Sequence, residues 1–173
     1  MTLEEAKVLL NSHNIPFELR EFQDEKEYWH HVAMFPNTQN AKPCKVIAMV
    51  VRSNNGKKDI ELQFNEAHDG FLFEELRFGD FDYEMFGCAT ELLDRINEIK
   101  SSSFTVIVAN DIKKKRWLGD ACFDLNDDDA FGKPGFEKTM KRIQKPKGFA
   151  SKLIKSKKQF ENYDWNTYQC IVK

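Results

Sequence analysis

"KVIAMVVRSNNGKKDIELQF", Lys45 to Phe64, sets two strand-like runs around Ser53-Asn54-Asn55-Gly56. Lys45 to Arg52 is dominated by Val, Ile and Met, side chains that suit a pleated, buried surface. Lys58 to Phe64 alternates Ile60, Leu62 and Phe64 with Asp59, Glu61 and Gln63, the period of a strand with one buried face. Asn-Gly between the runs accepts the positive φ values of a type I′ turn, so the stretch predicts a β-hairpin. Strands joined this way are antiparallel and need no crossover helix.

The flanks extend the same scheme. His68-Asp69-Gly70 turns the chain into a further strand, Phe71 to Phe78, and Phe17 and Leu19 suggest a short one before the hairpin. Thr2 and Glu5 form a T-x-x-E capping box, and Leu3, Ala6, Leu9 and Leu10 share one helical face. That helix should run to about Asn14 and stop at Pro16, while Glu25 to Phe35 fits neither period. On the other side, Leu92, Leu93, Ile96 and Ile99 predict a helix over about Thr90 to Lys100, ended by Ser101-Ser102-Ser103. Phe104 to Ala109 and Trp117 to Leu125 predict a second hairpin around Asp111-Ile-Lys-Lys-Lys115. By period two, Trp117, Gly119, Ala121, Phe123 and Leu125 fall on one face. Phe136, Met140 and Ile143 mark a third helix, Phe149, Leu153 and Ile154 a short fourth, and Tyr168, Cys170 and Val172 a terminal strand. Hairpins separated by helices indicate an α+β fold: one domain over residues 1–173, with a mainly antiparallel sheet built from hairpins and three to four helices.

Composition sets the class. A chain of 173 residues with 41% hydrophobic and 31% charged residues is an ordinary globular mixture. At this size folding buries roughly 70% of the unfolded surface, so neither a metal nor a disulfide is needed as a staple. The opening MTLEEAKVLLNSHN has acids where a secretory leader carries bases, and the longest aliphatic run, Val46 to Val51, is far short of the roughly 20 residues of a membrane span. Cys44, Cys88, Cys122 and Cys170 lie far apart with no C-x-x-C pair, which reads as reduced thiols in a cytoplasmic protein with no membrane association. The net charge of −2 is unevenly spread: residues 1–110 hold 11 Lys and Arg against 19 Asp and Glu, and residues 111–173 hold 15 against 9.

No catalytic signature emerges. There is no G-x-S-x-G, no P-loop and no G-x-G-x-x-G, so an enzyme would need a site assembled from scattered carboxylates. Glu27 and His30 make a single E-x-x-H string, whereas a di-metal bundle needs two and further Glu residues. In "DLNDDDAFGKPGFEKTMKR", Asp124 to Arg142, Asp124, Asn126 and Asp128 match the first alternate positions of a calcium loop. The match fails where Asp129 replaces the turn Gly and Gly135 replaces the closing Glu. Acids before a helix that opens with Pro134 and ends among Lys141, Arg142 and Lys145 suit its dipole, so the stretch reads as a helix start. No metal and no cofactor are expected.

Two surfaces remain for binding. FLFEELRFGDFDYEMFG, Phe71 to Gly87, interleaves rings with acids. Unless a sheet hides every Phe and solvates every Glu, some rings stay near the surface, as protein interfaces require. Glu75, Phe78, Asp80, Phe81, Asp82 and Tyr83 are the expected contacts, and another protein the expected partner, in the manner of an inhibitory or immunity-type module. The second surface is a run of ten bases against Glu137 over residues 133–158. Lys138, Lys141, Arg142, Lys145 and Lys152 would there take an anion or a nucleic acid through its phosphates, unless they are only the solvated backs of helices. The hairpin itself is testable. Gly56→Val should lower stability by about 1 kcal/mol or more in denaturant titration, because a β-branched residue resists positive φ.

Overall fold

The computed structural model describes residues 1–24, 44–68, 70–83, 88–101, 103–145 and 157–173, and the side chains of Asp24, Cys44 and Tyr83 fall outside the description. The α+β reading holds, with three helices among the described residues and two antiparallel sheets. The fourth helix expected near Phe149 lies outside the described residues. The chain divides into two compact units, Met1–Arg52 with Asp59–Leu93 and Ser53–Lys58 with Asp94–Lys173.

The first unit opens with α1 (Leu3–Ser12), started by the predicted capping box. The Thr2 backbone N–H donates to Glu5 Oε2 at 2.8 Å, and the Glu5 N–H donates to Thr2 Oγ1 at 3.2 Å. Its five-stranded sheet runs β1-β2-β3-β4-β5, from β1 (Glu18–Asp24), β2 (Cys44–Val51), β3 (Ile60–Ala67), β4 (Gly70–Phe78) and β5 (Phe81–Tyr83). Register sorts the side chains by face, with one shift between Gln63 and Phe64 where β4 carries an extra residue. Val51, Ile60, Phe78 and Phe81 are aligned on one face, as are Met49, Leu62 and Leu76. Most of these are fully buried, each worth roughly 1.5–3 kcal/mol of burial. The opposite face is charged, with Glu18, Arg20, Glu61, Glu75, Arg77 and Asp82 aligned across the strands.

The second unit takes α2 (Ala89–Lys100) from Asp94 onward, with the buried Ile96 and Ile99, and its sheet order is β7-β6-β8-β9. Its strands are β6 (Phe104–Asp111), β7 (Arg116–Asp124), β8 (Lys158–Tyr163) and β9 (Tyr168–Val172). α3 (Lys133–Gln144) lays Met140 and Ile143 on Ile107 and Phe123, with Phe136, Phe160 and Ile171 packed around them. Phe123 and Phe136 meet edge to face at 5.8 Å.

Two expectations need correction. The period-two face of β7 is broken: Gly119 faces Ala109, but Trp117 faces Asn110, so one extra residue of β7 is accommodated between them. Gly119 carries the bulge at φ +144°, and Trp117 turns to the other face, 62% exposed. The loop after β2 is also not a type I′ turn. Its last strand pair is Val51 with Ile60, and only Gly56 has positive φ, +66°, whereas Asn55 does not. Asn55 is used otherwise. Its Oδ1 accepts the backbone N–H groups of Lys57 and Lys58 at 2.8 Å each, and its Nδ2 donates to the Asp164 carbonyl at 2.6 Å. Its own N–H donates to the Trp165 carbonyl at 3.0 Å, so this loop is bracketed against the β8–β9 turn.

β8 was not foreseen, because Lys-Gln-Phe-Glu-Asn-Tyr has only two hydrophobic residues. Its Glu161 is 8% exposed, and Lys58 Nζ supplies the counter-charge at 2.7 Å. Gln159 Nε2 donates to the other carboxylate oxygen at 2.6 Å, and the Lys58 ammonium sits 5.5 Å from the centre of the buried Tyr163 ring. A buried pair loses far more when halved than when replaced whole. Lys58→Met should therefore destabilise by about 3 kcal/mol, and Lys58→Met with Glu161→Leu should recover most of that loss in urea titration. An unchanged midpoint in the single variant would contradict this account.

Candidate functional site

The acidic-aromatic residues are brought close in space but sorted to opposite sides. β4 and β5 are joined by Gly79-Asp80, a tight turn that gives Gly79 a φ of +61°. Arg77 then faces Asp82, while Phe78 faces Phe81. Arg77 Nε lies 2.7 Å from Glu75 and 2.8 Å from Asp82, so the two acids clasp a guanidinium. Phe78 is 0% exposed and belongs to the core, which corrects its expected place near the surface. Phe81 is half-buried, Asp80 and Asp82 are exposed, and the side chain of Tyr83 lies outside the description. Period two has separated rings from charges.

The charged face itself is an ordered ion lattice. Arg52 bridges Glu18 and Asp59 at 2.7 Å each, and Arg20 reaches Glu61 at 3.4 Å. Phe22 and Leu72 belong to the same face, along one row through Val46 and Asn65, and stay 39% and 49% exposed. Glu18 is held below the usual carboxylate range by the Arg52 hydrogen bond. Glu75 is pushed above it by burial, against the pull of Arg77.

The acidic half of Asp124 to Arg142 forms a turn. Asp124 Oδ1 accepts the Asn126 N–H at 2.9 Å, and Asp129 Oδ1 accepts the Phe131 N–H at 2.7 Å. The Asp127 carbonyl accepts the Lys133 N–H at 2.9 Å, leading into α3 with Pro134 in its first turn. Gly132 and Gly135 are required here, since a Cβ would lie 2.0 Å from the Asp127 carbonyl oxygen or 1.8 Å from that of Ala130. Among the described residues no group of three His, Cys, Asp or Glu could hold a metal ion. Glu27 and His30 lie outside the described residues.

The basic half is displayed. Lys138, Lys141, Arg142 and Lys145 are all exposed along α3, and Lys152 lies outside the described residues. Lys141 has Glu137 at 3.9 Å, a distant surface pair of little energy. What sequence reading missed is the company these bases keep. The β6–β7 tip carries Lys113, Lys114, Lys115 and Arg116, all exposed. Its Ile112 N–H donates to the Lys157 carbonyl at 2.8 Å, and Lys158 and Lys173 exchange backbone hydrogen bonds at 2.7 and 2.8 Å. Lys173 Nζ in turn donates to the Lys145 carbonyl at the end of α3. Four separate segments thus place their cations at one end of the four-stranded sheet. The Lys-Lys-Lys-Arg run was a visible signal, read only as a turn.

Charge follows the units. The first has 7 Lys and Arg against 17 Asp and Glu, a net −10, and the second has 19 against 11, a net +8. Burial also pushes the Cys122 thiol up. No helix among the described residues is long and apolar enough to cross a membrane. Comparison with protein families, characterised proteins and solved structures finds no match.

Carboxyl-carbon NMR titration tests the ion lattice, and the two acids should respond in opposite senses. Arg52→Gln should raise Glu18 towards the ordinary value, removing a contribution to stability that is present above that value and lost as pH falls through the lowered one. Glu75 has the reverse sign: its contribution is present below the ordinary value and lost as pH rises through the raised one. Arg77→Gln should push it higher still, because burial is then unopposed.

Proposed function

We propose that the second unit binds a polyanion, with nucleic acid as the ligand class, through the basic end of its four-stranded sheet. The observation that carries this reading is the convergence of Lys113–Arg116, Lys157, Lys158, Lys173 and the C-terminal turn of α3 at one place. Among the described residues no carboxylate lies in ion-pair range of Lys113, Lys114, Lys115 or Arg116. Phosphate contacts of this kind give affinity by counterion release, and a set dominated by Lys suits backbone contact better than base reading. The Lys surface that ranked second in the sequence is thereby favoured over the acidic-aromatic one, whose rings and acids face opposite ways.

The second reading keeps the other surface. A basic protein partner would meet the charged face of the first unit, using Glu75, Asp80 and Asp82, with Phe22 and Leu72 as apolar anchors in place of Phe78. Its support is the net −10 of that unit and the exposure of those two side chains on one face.

Fluorescence polarisation with labelled oligonucleotides separates the two. Binding should weaken steeply with salt, and Lys114→Glu with Lys115→Glu, or Lys141→Glu with Lys145→Glu, should each cost about tenfold or more at low salt. The logarithmic salt slope should fall by about 0.7–0.9 for each phosphate contact removed. No binding by the wild type, or binding indifferent to both reversals, would overturn the polyanion reading. Loss of a protein partner on Phe22→Ala with Leu72→Ala, but not on the lysine reversals, would establish the second.

A further inference from the structure

Between α3 and the face of the four-stranded sheet that it covers lies a cleft of about 430 Å³, within the roughly 300–1,000 Å³ of small-ligand sites. Its origin is a run of small side chains. Ala109 faces Gly119, and Ile107 faces Ala121, so two neighbouring rows of β6 and β7 present little to fill the space under the helix. At the other end of the helix Phe136 fills that space against Phe123. Phe160, aligned with Ala109 from β8, forms an aromatic wall. Ile143 and Thr139 of α3 close over it.

The rim has a different chemistry. Arg142 of α3 and Lys158 of β8 both border the cleft and are exposed, and no carboxylate among the described residues lies in ion-pair range of either. A largely apolar cleft with one ring wall, beside two cations that belong to the basic end of the sheet, combines the features of a site for a base with its phosphates.

We infer that this cleft receives one unstacked base of a single-stranded nucleic acid, with the flanking phosphates on Arg142 and Lys158. The inference rests on the polyanion reading and adds strand selectivity to it. Lysines along an edge serve single and double strands alike, because they meet only phosphate. A slot under a helix admits a base only when that base has left its stack, which costs a duplex its pairing and a single strand very little.

The test uses the full chain with a labelled mixed-sequence oligonucleotide, single-stranded or annealed to its complement. Ala121→Leu fills the floor of the cleft and should reduce single-strand affinity about tenfold while leaving duplex affinity within about twofold. Because a larger side chain can disturb packing, Phe160→Leu and the exposed Arg142→Gln are measured beside it, each with its melting temperature. Phe160→Leu should reduce single-strand binding alone, and Arg142→Gln should reduce it while the protein melts as the wild type does. The methyl groups of Ala109 and Ala121 should also shift in NMR spectra on addition of adenosine monophosphate. Equal losses for both strand forms, or wild-type single-strand affinity in a folded Ala121→Leu variant, would overturn the base slot and leave polyanion binding standing. Binding of neither form by the wild type would overturn both.

Discussion

Glu161 sets the terms for the second unit. A carboxylate in a central strand is costly to bury, and β8 lies between β6 and β9 with both edges paired. The strand is possible because Lys58 arrives from a loop more than a hundred positions earlier and Gln159 donates to the remaining oxygen. The same loop is fixed by Asn55, whose side chain and backbone both reach carbonyls of the β8–β9 turn. Around this pair Tyr163 is wholly buried, and Tyr168, raised in pKa by burial and by Glu161, lies beside it. Such a pair adds little net stability compared with apolar replacements, but it demands one partner at one place.

The first unit solves a different problem, that of 17 acids around few bases. Alternation sends most rings inward and the charges to one face, where Arg52 and Arg77 each bridge two acids and Arg20 pairs with Glu61. Each such exposed pair is weak, yet the lattice removes like-charge repulsion between neighbouring strands. At the sheet end of the second unit the buried Asp111 accepts the Lys114 backbone N–H, and among the described residues no set of side-chain bridges like that of the first unit forms there. Lysines from four segments stand together there, and their mutual repulsion is a cost that an anionic ligand would relieve. This contrast in pairing, rather than total charge, is what distinguishes the two surfaces.

Much of this was legible in the chain. The capping box, the hairpin strands, the terminal strand and the helices at Thr90–Lys100 and around Met140 follow from spacing alone, because each depends on neighbours within a few positions. The acidic turn before α3 was legible for the same reason, since its bonds join residues two to seven apart. Phe78 was misjudged because counting rings in a segment says nothing of which face each occupies, and the two-residue turn at Gly79-Asp80 decides that.

The sequence by itself determined most of the local elements, the antiparallel class and the charge asymmetry, all of which are properties of short windows or of sums. Only tertiary structure decided the rest. The bulge at Gly119 turned Trp117 away from its own strand's pattern, because a single extra residue inverts the alternation between the two sides of the bulge. β8 exists because Lys58 is there to meet Glu161. The basic end of the sheet exists because backbone hydrogen bonds join Ile112 to Lys157 and Lys158 to Lys173. Each joins residues at least fifteen positions apart, and the period of a local pattern holds no information about which distant partner will complete it.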